Sequence, residues 1–143
     1  MEIEKLVRIT IIFKKNPDIS DAQFHEYWAH THAPLCTEWM KKHGIVKHTQ
    51  YHLHKSGTDF ISERLPGWPT AAYDGIEDFY VHKLEDFADA LLDEYYQENL
   101  MPDGKVYADF ASVFIVVGED FVVIDDTKVV EQHERDYKIK AAN

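Results

Sequence analysis

Two groups of histidines are the residues whose types and spacing could do chemistry. One is His25, His30 and His32 in the run FHEYWAHTHAPL; the other is His48, His52 and His54 at even positions of IVKHTQYHLH. Imidazole ionises near neutrality, so such groups either move protons or bind metal ions. A zinc site wants three or four converging ligands at recognisable spacing, and neither HExxH nor a CxxC pair occurs, so no metal is expected. No GxSxG elbow accompanies Cys36, which is read as core or helix filler, and the phosphate cradles GxGxxG and GxxxxGK are missing. General acid-base chemistry fits better. Pro34 lacks a backbone donor and is expected to break the first helix near His32. His30 and His32 would then sit at a helix carboxyl end, where the dipole favours imidazolium, which makes His32 the expected proton donor.

The elements that must position these groups follow from periodicity. Leu6 to Phe13 is a β-branched strand, and Ser20 with Gln23 forms a capping box for a helix carrying Phe24, Tyr27, Trp28, Thr31 and Leu35. The chain is expected to resume helix with Pro34 in the first turn and to run to Lys42. Ile45 to His54 alternates as strand two and brings His48 and His52 to one face, with Asp78 and Tyr80 expected from the facing side of strand three, Tyr73 to His82. Between them, residues 55–72 with Gly57, Pro66, Gly67 and Pro69 read as a long loop, in which Trp68 is either a lid over an apolar ligand or an anchor. Helix two spans Leu84 to Tyr95, Met101 to Gly104 ends that region, and a short turn from Lys105 leads to strand four, Ser112 to Val117. Tyr27 and Trp28 are expected to pack helix on sheet and, beyond that, to offer aromatic surface to a substrate. His25, His54 and His133 are expected at the surface.

The order βαββαβ points to a ferredoxin-like α+β sandwich with one helical layer over an antiparallel sheet. Strands one and four are too apolar for a sheet face left in water, so a homodimer is expected. The 26 acidic against 15 basic residues give a net charge of −11, which argues against nucleic acid and anionic membranes as partners. A single cysteine and an opening without a signal-like run favour the cytoplasm, and no apolar run is long enough to span a bilayer. Residues 1–124 are expected to form the domain and 125–143 a charged arm or frayed helix.

The aromatic-Trp pair Tyr27-Trp28, followed by His32-Ala33-Pro34-Leu35, resembles the EthD-like branch of the dimeric α+β barrel superfamily. The length and the Leu65-Pro66-Gly67-Trp68-Pro69 loop look most like small fungal proteins of aromatic polyketide pathways, including atrochrysone carboxylic acid decarboxylases, with dehydratases and cofactor-free oxygenases as relatives. The resemblance implies a site that needs no cofactor between sheet and helices, and carries His32 over as its histidine. The expected function is a cofactor-independent decarboxylase of a hydroxylated aromatic or β-keto polyketide acid. His32 would donate the proton, and His52 with His48 would orient a phenol or act as base. Tyr80 would bond a carbonyl, and Trp28 and Trp68, with Tyr27 and Asp78, would hold the rings. The alternatives are a monooxygenase, a dehydratase, or a non-catalytic binding or stress protein.

Overall fold

The computed structural model describes residues 5–131. Its four-stranded antiparallel sheet has the order β2-β3-β1-β4, built from β1 (Val7–Lys15), β2 (Lys47–His52), β3 (Gly75–Val81) and β4 (Ala108–Glu119). Helices cover one face, which gives the expected ferredoxin-like arrangement. Alternation along β1 sends Ile9, Ile11 and Phe13 toward the helices, where Ile9 and Phe13 are buried. Thr10 and Ile12 face the other way, opposite Asp78 and Ile76 of β3. That outer face also carries exposed Tyr51, Phe114 and Val116.

The first helical stretch differs from the expected broken helix. α1 (Asp21–Glu26) starts at the capping box of Ser20 and Gln23, passes into a π-helical turn (Tyr27–His32), and continues as α2 (Ala33–Lys42) with Pro34 in its first turn. Helical backbone angles hold through His32 and Ala33, whose N–H donates to the carbonyl of Trp28 five residues back. A proline ring collides with the carbonyl four residues behind it; the wider turn removes that collision without ending the helix. One extra residue per turn also rotates everything beyond. The inward positions become Phe24, Trp28, Cys36 and Trp39, and Leu35, expected on the buried stripe, is exposed.

The same device recurs. α4 (Leu84–Leu92) stops at Asp93, whose backbone turns extended, and a second π-helical turn (Tyr96–Leu100) precedes α5 (Met101–Tyr107), with Pro102 in its first turn. Met101-Pro102-Asp103-Gly104, expected to end a helix, therefore begins one. Residues 55–72, expected as a loop, contain α3 (Lys55–Arg64), whose amino end is capped by His54 accepting from the Gly57 N–H. Beyond the main sheet, β5 (Ile124–Asp125) and β6 (Lys128–Val129) form a hairpin, where an arm or frayed helix was expected. His133 and the rest of the expected arm lie outside the described residues.

Two core clusters straddle the sheet-helix interface: one around Ile9, Trp39, Phe79 and Phe87, the other around Phe13, Phe24, Trp28 and Tyr107. Between them lies a cavity.

Candidate active site

The cavity measures about 260 Å³ and is walled by Phe13, Trp39, Phe79, Tyr107, Phe110 and other apolar side chains. Its polar groups are few: His32, Cys36, His48, Gln50, Glu77, Tyr96 and Tyr107. His32 arrives from the end of the first π-helical turn. Its Nδ1–H donates to Asp103 Oδ2 at 2.7 Å, and the Tyr27 hydroxyl donates to the other carboxylate oxygen at 2.5 Å. The two π-helical junctions thus meet: residues just before Pro34 face the residue just after Pro102. With Nδ1 committed to Asp103, Nε2 is turned to the cavity, 3.3 Å from Cys36 Sγ. That thiol is pushed up to about 12, first by burial and then by the charges of Glu77 and Asp103, so it stays protonated.

His48 enters from β2. Its Nδ1–H donates to the Asp78 carbonyl at 2.9 Å, which leaves Nε2 as an acceptor 3.8 Å from Glu77 Oε2. Burial lowers its pKa, more than the carbonyl bond raises it, so this imidazole is neutral. Glu77 reaches the same cavity from β3, because Gln50 pairs with Glu77 and His48 with Phe79, and cross-strand partners share a face. Burial, assisted by the charge of Asp78, raises the Glu77 carboxyl to about 7. Burial also raises the phenols of Tyr96, to about 12, and of Tyr107, so both remain donors. The site therefore offers a carboxylate-oriented imidazole and a neutral imidazole as acceptors, opposite a carboxylic acid that is half protonated near neutrality.

The structure redistributes the other expected site residues. The β2–β3 register puts Asp78 and Tyr80 on the outer face, not opposite the histidines. There, burial works against ionisation of Asp78, but hydrogen bonds from Arg8 and Thr10 outweigh it and hold the carboxylate below its ordinary range. The Tyr80 hydroxyl donates to Asp120. His52 shares the inner face with His48 but does not line the cavity. It sits in a separate open cleft with His25, His30 and His54, beyond Gln50 and Trp28. Its Nε2–H donates to Gln50 Oε1, so its Nδ1 accepts from His25 Nδ1–H at 2.7 Å. His25, expected at the surface, is thus half-buried in a relay that ends where Gln50 donates to the Trp28 carbonyl. Trp28 is wholly buried and packs against Phe13, and Trp68 is exposed, so neither touches the cavity. Tyr27 contributes through Asp103. Among the described residues no group of three His, Cys, Asp or Glu side chains is arranged to hold a metal ion, and no helix is long and apolar enough to cross a membrane.

Glu77 and Asp103 were absent from the expected site. Glu77 carried one signal: it shares strand parity with Phe79 and Val81, the apolar residues of β3. Asp103 carried none, since Pro-Asp-Gly is also how a turn reads.

A model of the EthD domain matches residues 16–111, which include His32, His48, Glu77 and Asp103. The chain belongs to the EthD domain family. Among its relatives in the family is the conidial pigment biosynthesis dehydratase EthD of Metarhizium robertsii, 28% identical over 131 residues that span 90% of this chain and 92% of the relative. Another is the decarboxylase dmxR15 of Cryptosporiopsis sp., 25% identical over 118 residues, 80% of each chain. Among solved structures, a dimeric protein of ferredoxin-like fold from Bacteroides fragilis is superposable with a TM-score of 0.51 at 13% identity, covering 80% of this chain and 96% of that one. Relatives named for two different reactions, a dehydratase and a decarboxylase, thus align with most of this chain.

Proposed function

We propose that this EthD domain is a cofactor-independent lyase acting on a hydroxylated aromatic or β-keto polyketide, and that it eliminates water by general acid-base catalysis. The observation that carries this reading is the pairing, across one apolar cavity, of the Asp103-oriented His32 with the His48–Glu77 pair. Dehydration of a β-hydroxy ketone needs a base at the α-carbon and an acid at the departing hydroxyl. His32 Nε2 takes the α-proton, and Asp103 stabilises the imidazolium that results. Protonated Glu77 delivers its proton to the hydroxyl, which leaves as water. The Tyr96 or Tyr107 phenol bonds the enolate oxygen. The aromatic walls and the modest volume suit a flat substrate of two or three fused rings.

Decarboxylation, the expectation from the sequence, is the second reading, and one feature favours it: below about pH 7 the protonated Glu77 can hydrogen-bond a substrate carboxylate in apolar surroundings. Loss of carbon dioxide would then leave an enolate for the His32 imidazolium to protonate. Incubating the protein with aromatic polyketide acids and β-hydroxy ketones, and following product mass, separates these outcomes. Loss of water supports the first reading, loss of carbon dioxide the second, and gain of oxygen overturns both. The outer sheet face is proposed to be covered by a second copy of the chain.

A further inference from the structure

Gln50 takes no part in the reaction proposed above, yet its amide is bonded at both ends. Its Nε2 lies 3.0 Å from the Trp28 carbonyl oxygen and its Oε1 lies 2.8 Å from His52 Nε2. A carbonyl only accepts, so the nitrogen end of the amide faces Trp28 and the oxygen end faces His52. His52 then donates from Nε2, and its Nδ1 accepts from the Nδ1–H of His25 on α1. Donation therefore runs one way, from α1 through β2 to the backbone of Trp28.

Trp28 belongs to the first π-helical turn, and its carbonyl already accepts the Ala33 N–H, the bond that makes the turn wide. Gln50 occupies the second lone pair of that oxygen. His32 lies on the same turn, inside the span that the Trp28–Ala33 bond closes. Asp103 holds the His32 ring at Nδ1, but a bond to the ring does not fix the backbone that carries it. Wide turns are the rare form of a helix, and here a strand side chain grips the carbonyl where the turn opens. Gln50 also lines the cavity, from the inner face of β2 and paired with Glu77 of β3, so the same side chain borders the site and the turn that feeds it.

We propose that Gln50, held by His52 and His25, is a positioning residue: it fixes the π-helical turn so that His32 Nε2 points into the cavity. The kinetic consequence rests on the lyase reading above; the spectroscopic one does not. In proton NMR the His32 Nδ1–H, bonded to Asp103, gives a downfield resonance that is identified by its loss in His32→Gln. In Gln50→Leu, with circular dichroism unchanged, that proton should exchange with water at least about tenfold faster, as expected when a bond that holds its surroundings is lost. On the polyketide that the native protein converts, kcat should fall about 10- to 10²-fold with KM within about twofold, the mark of a misplaced catalytic group. Gln50→Glu at pH 8 keeps an acceptor for His52 but turns a carboxylate oxygen on the Trp28 carbonyl, and should behave as Gln50→Leu does. His52→Leu keeps an apolar contact with Trp28 and frees Gln50 Oε1; it is the variant to use if neither of the others folds, and should move both readouts in the same direction. Native exchange of the His32 proton in any folded one of these variants overturns the proposal, and so does a native kcat. If the native protein converts no polyketide, the lyase reading fails and the exchange measurement still decides the positioning role.

Discussion

At the scale of single residues, the site turns on protons held in place by neighbours. Asp103 fixes the His32 tautomer, so Asp103→Asn should lower kcat about 10²- to 10⁴-fold with little change in KM, as removal of a group that orients a general base does. Steady-state kinetics on the substrate identified by product mass check this. Glu77 makes a separate prediction about stability. Its folded carboxyl titrates near 7 against an ordinary value of 4.5, so the folded state binds the proton more tightly. Stability is then fully present below pH 4.5 and is lost as pH rises to about 7. Glu77→Gln should match the native protein in urea melts at pH 4 and exceed it at pH 8, by on the order of 2–3 kcal/mol. Equal stabilities at pH 8 would remove the buried acid from the site. His32 and His48 stood out in the sequence because imidazole ionises near neutrality, although the chain carries nine histidines and spacing alone does not separate them. Glu77 was harder to read, because β3 carries adjacent carboxylates on opposite faces, Glu77 inward and Asp78 outward, and only the parity Glu77 shares with Phe79 and Val81 separates them.

At the scale of elements, the two prolines explain why the helices were harder to read than the strands. Strand periodicity is a strict two, so β1 and β3 could be read to within a few residues. A π-helical turn adds one residue and shifts the phase of everything after it, so Leu35 moved outward and Cys36 and Trp39 inward. That same rotation carries His32 into the cavity, and the helix end that was expected to deliver it there is replaced by a continuous helix. Close packing beneath the helix makes a further prediction. A Cβ on Gly75 would meet Phe13 Cζ at 2.6 Å and Trp28 Cζ3 at 3.0 Å, so Gly75→Ala should cost about 1–3 kcal/mol by overpacking. Ser20→Ala, which removes the capping box, should cost about 1 kcal/mol and leave the site intact. Thermal denaturation of both variants, with kcat/KM for the second, tests the pair.

At the scale of the molecule, an antiparallel sheet with helices on one face leaves the other face in need of cover. That need was legible from the apolar character of β1 and β4; the polar network of Arg8, Thr10, Asp78 and Asp120 at its centre was not, since its members are scattered from residue 8 to residue 120. Val116→Asp on this face should turn a dimer into a monomer in light scattering. His32 and its partners are proposed to make the domain a lyase, and the most direct measurement compares the native protein with His32→Gln on the dehydratable polyketide, with folding verified by circular dichroism. A fall in kcat of about 10²-fold or more, with product still formed by loss of water in the native protein, is the predicted result. Turnover by His32→Gln within about twofold of native, a difference worth under ~0.5 kcal/mol, would contradict it.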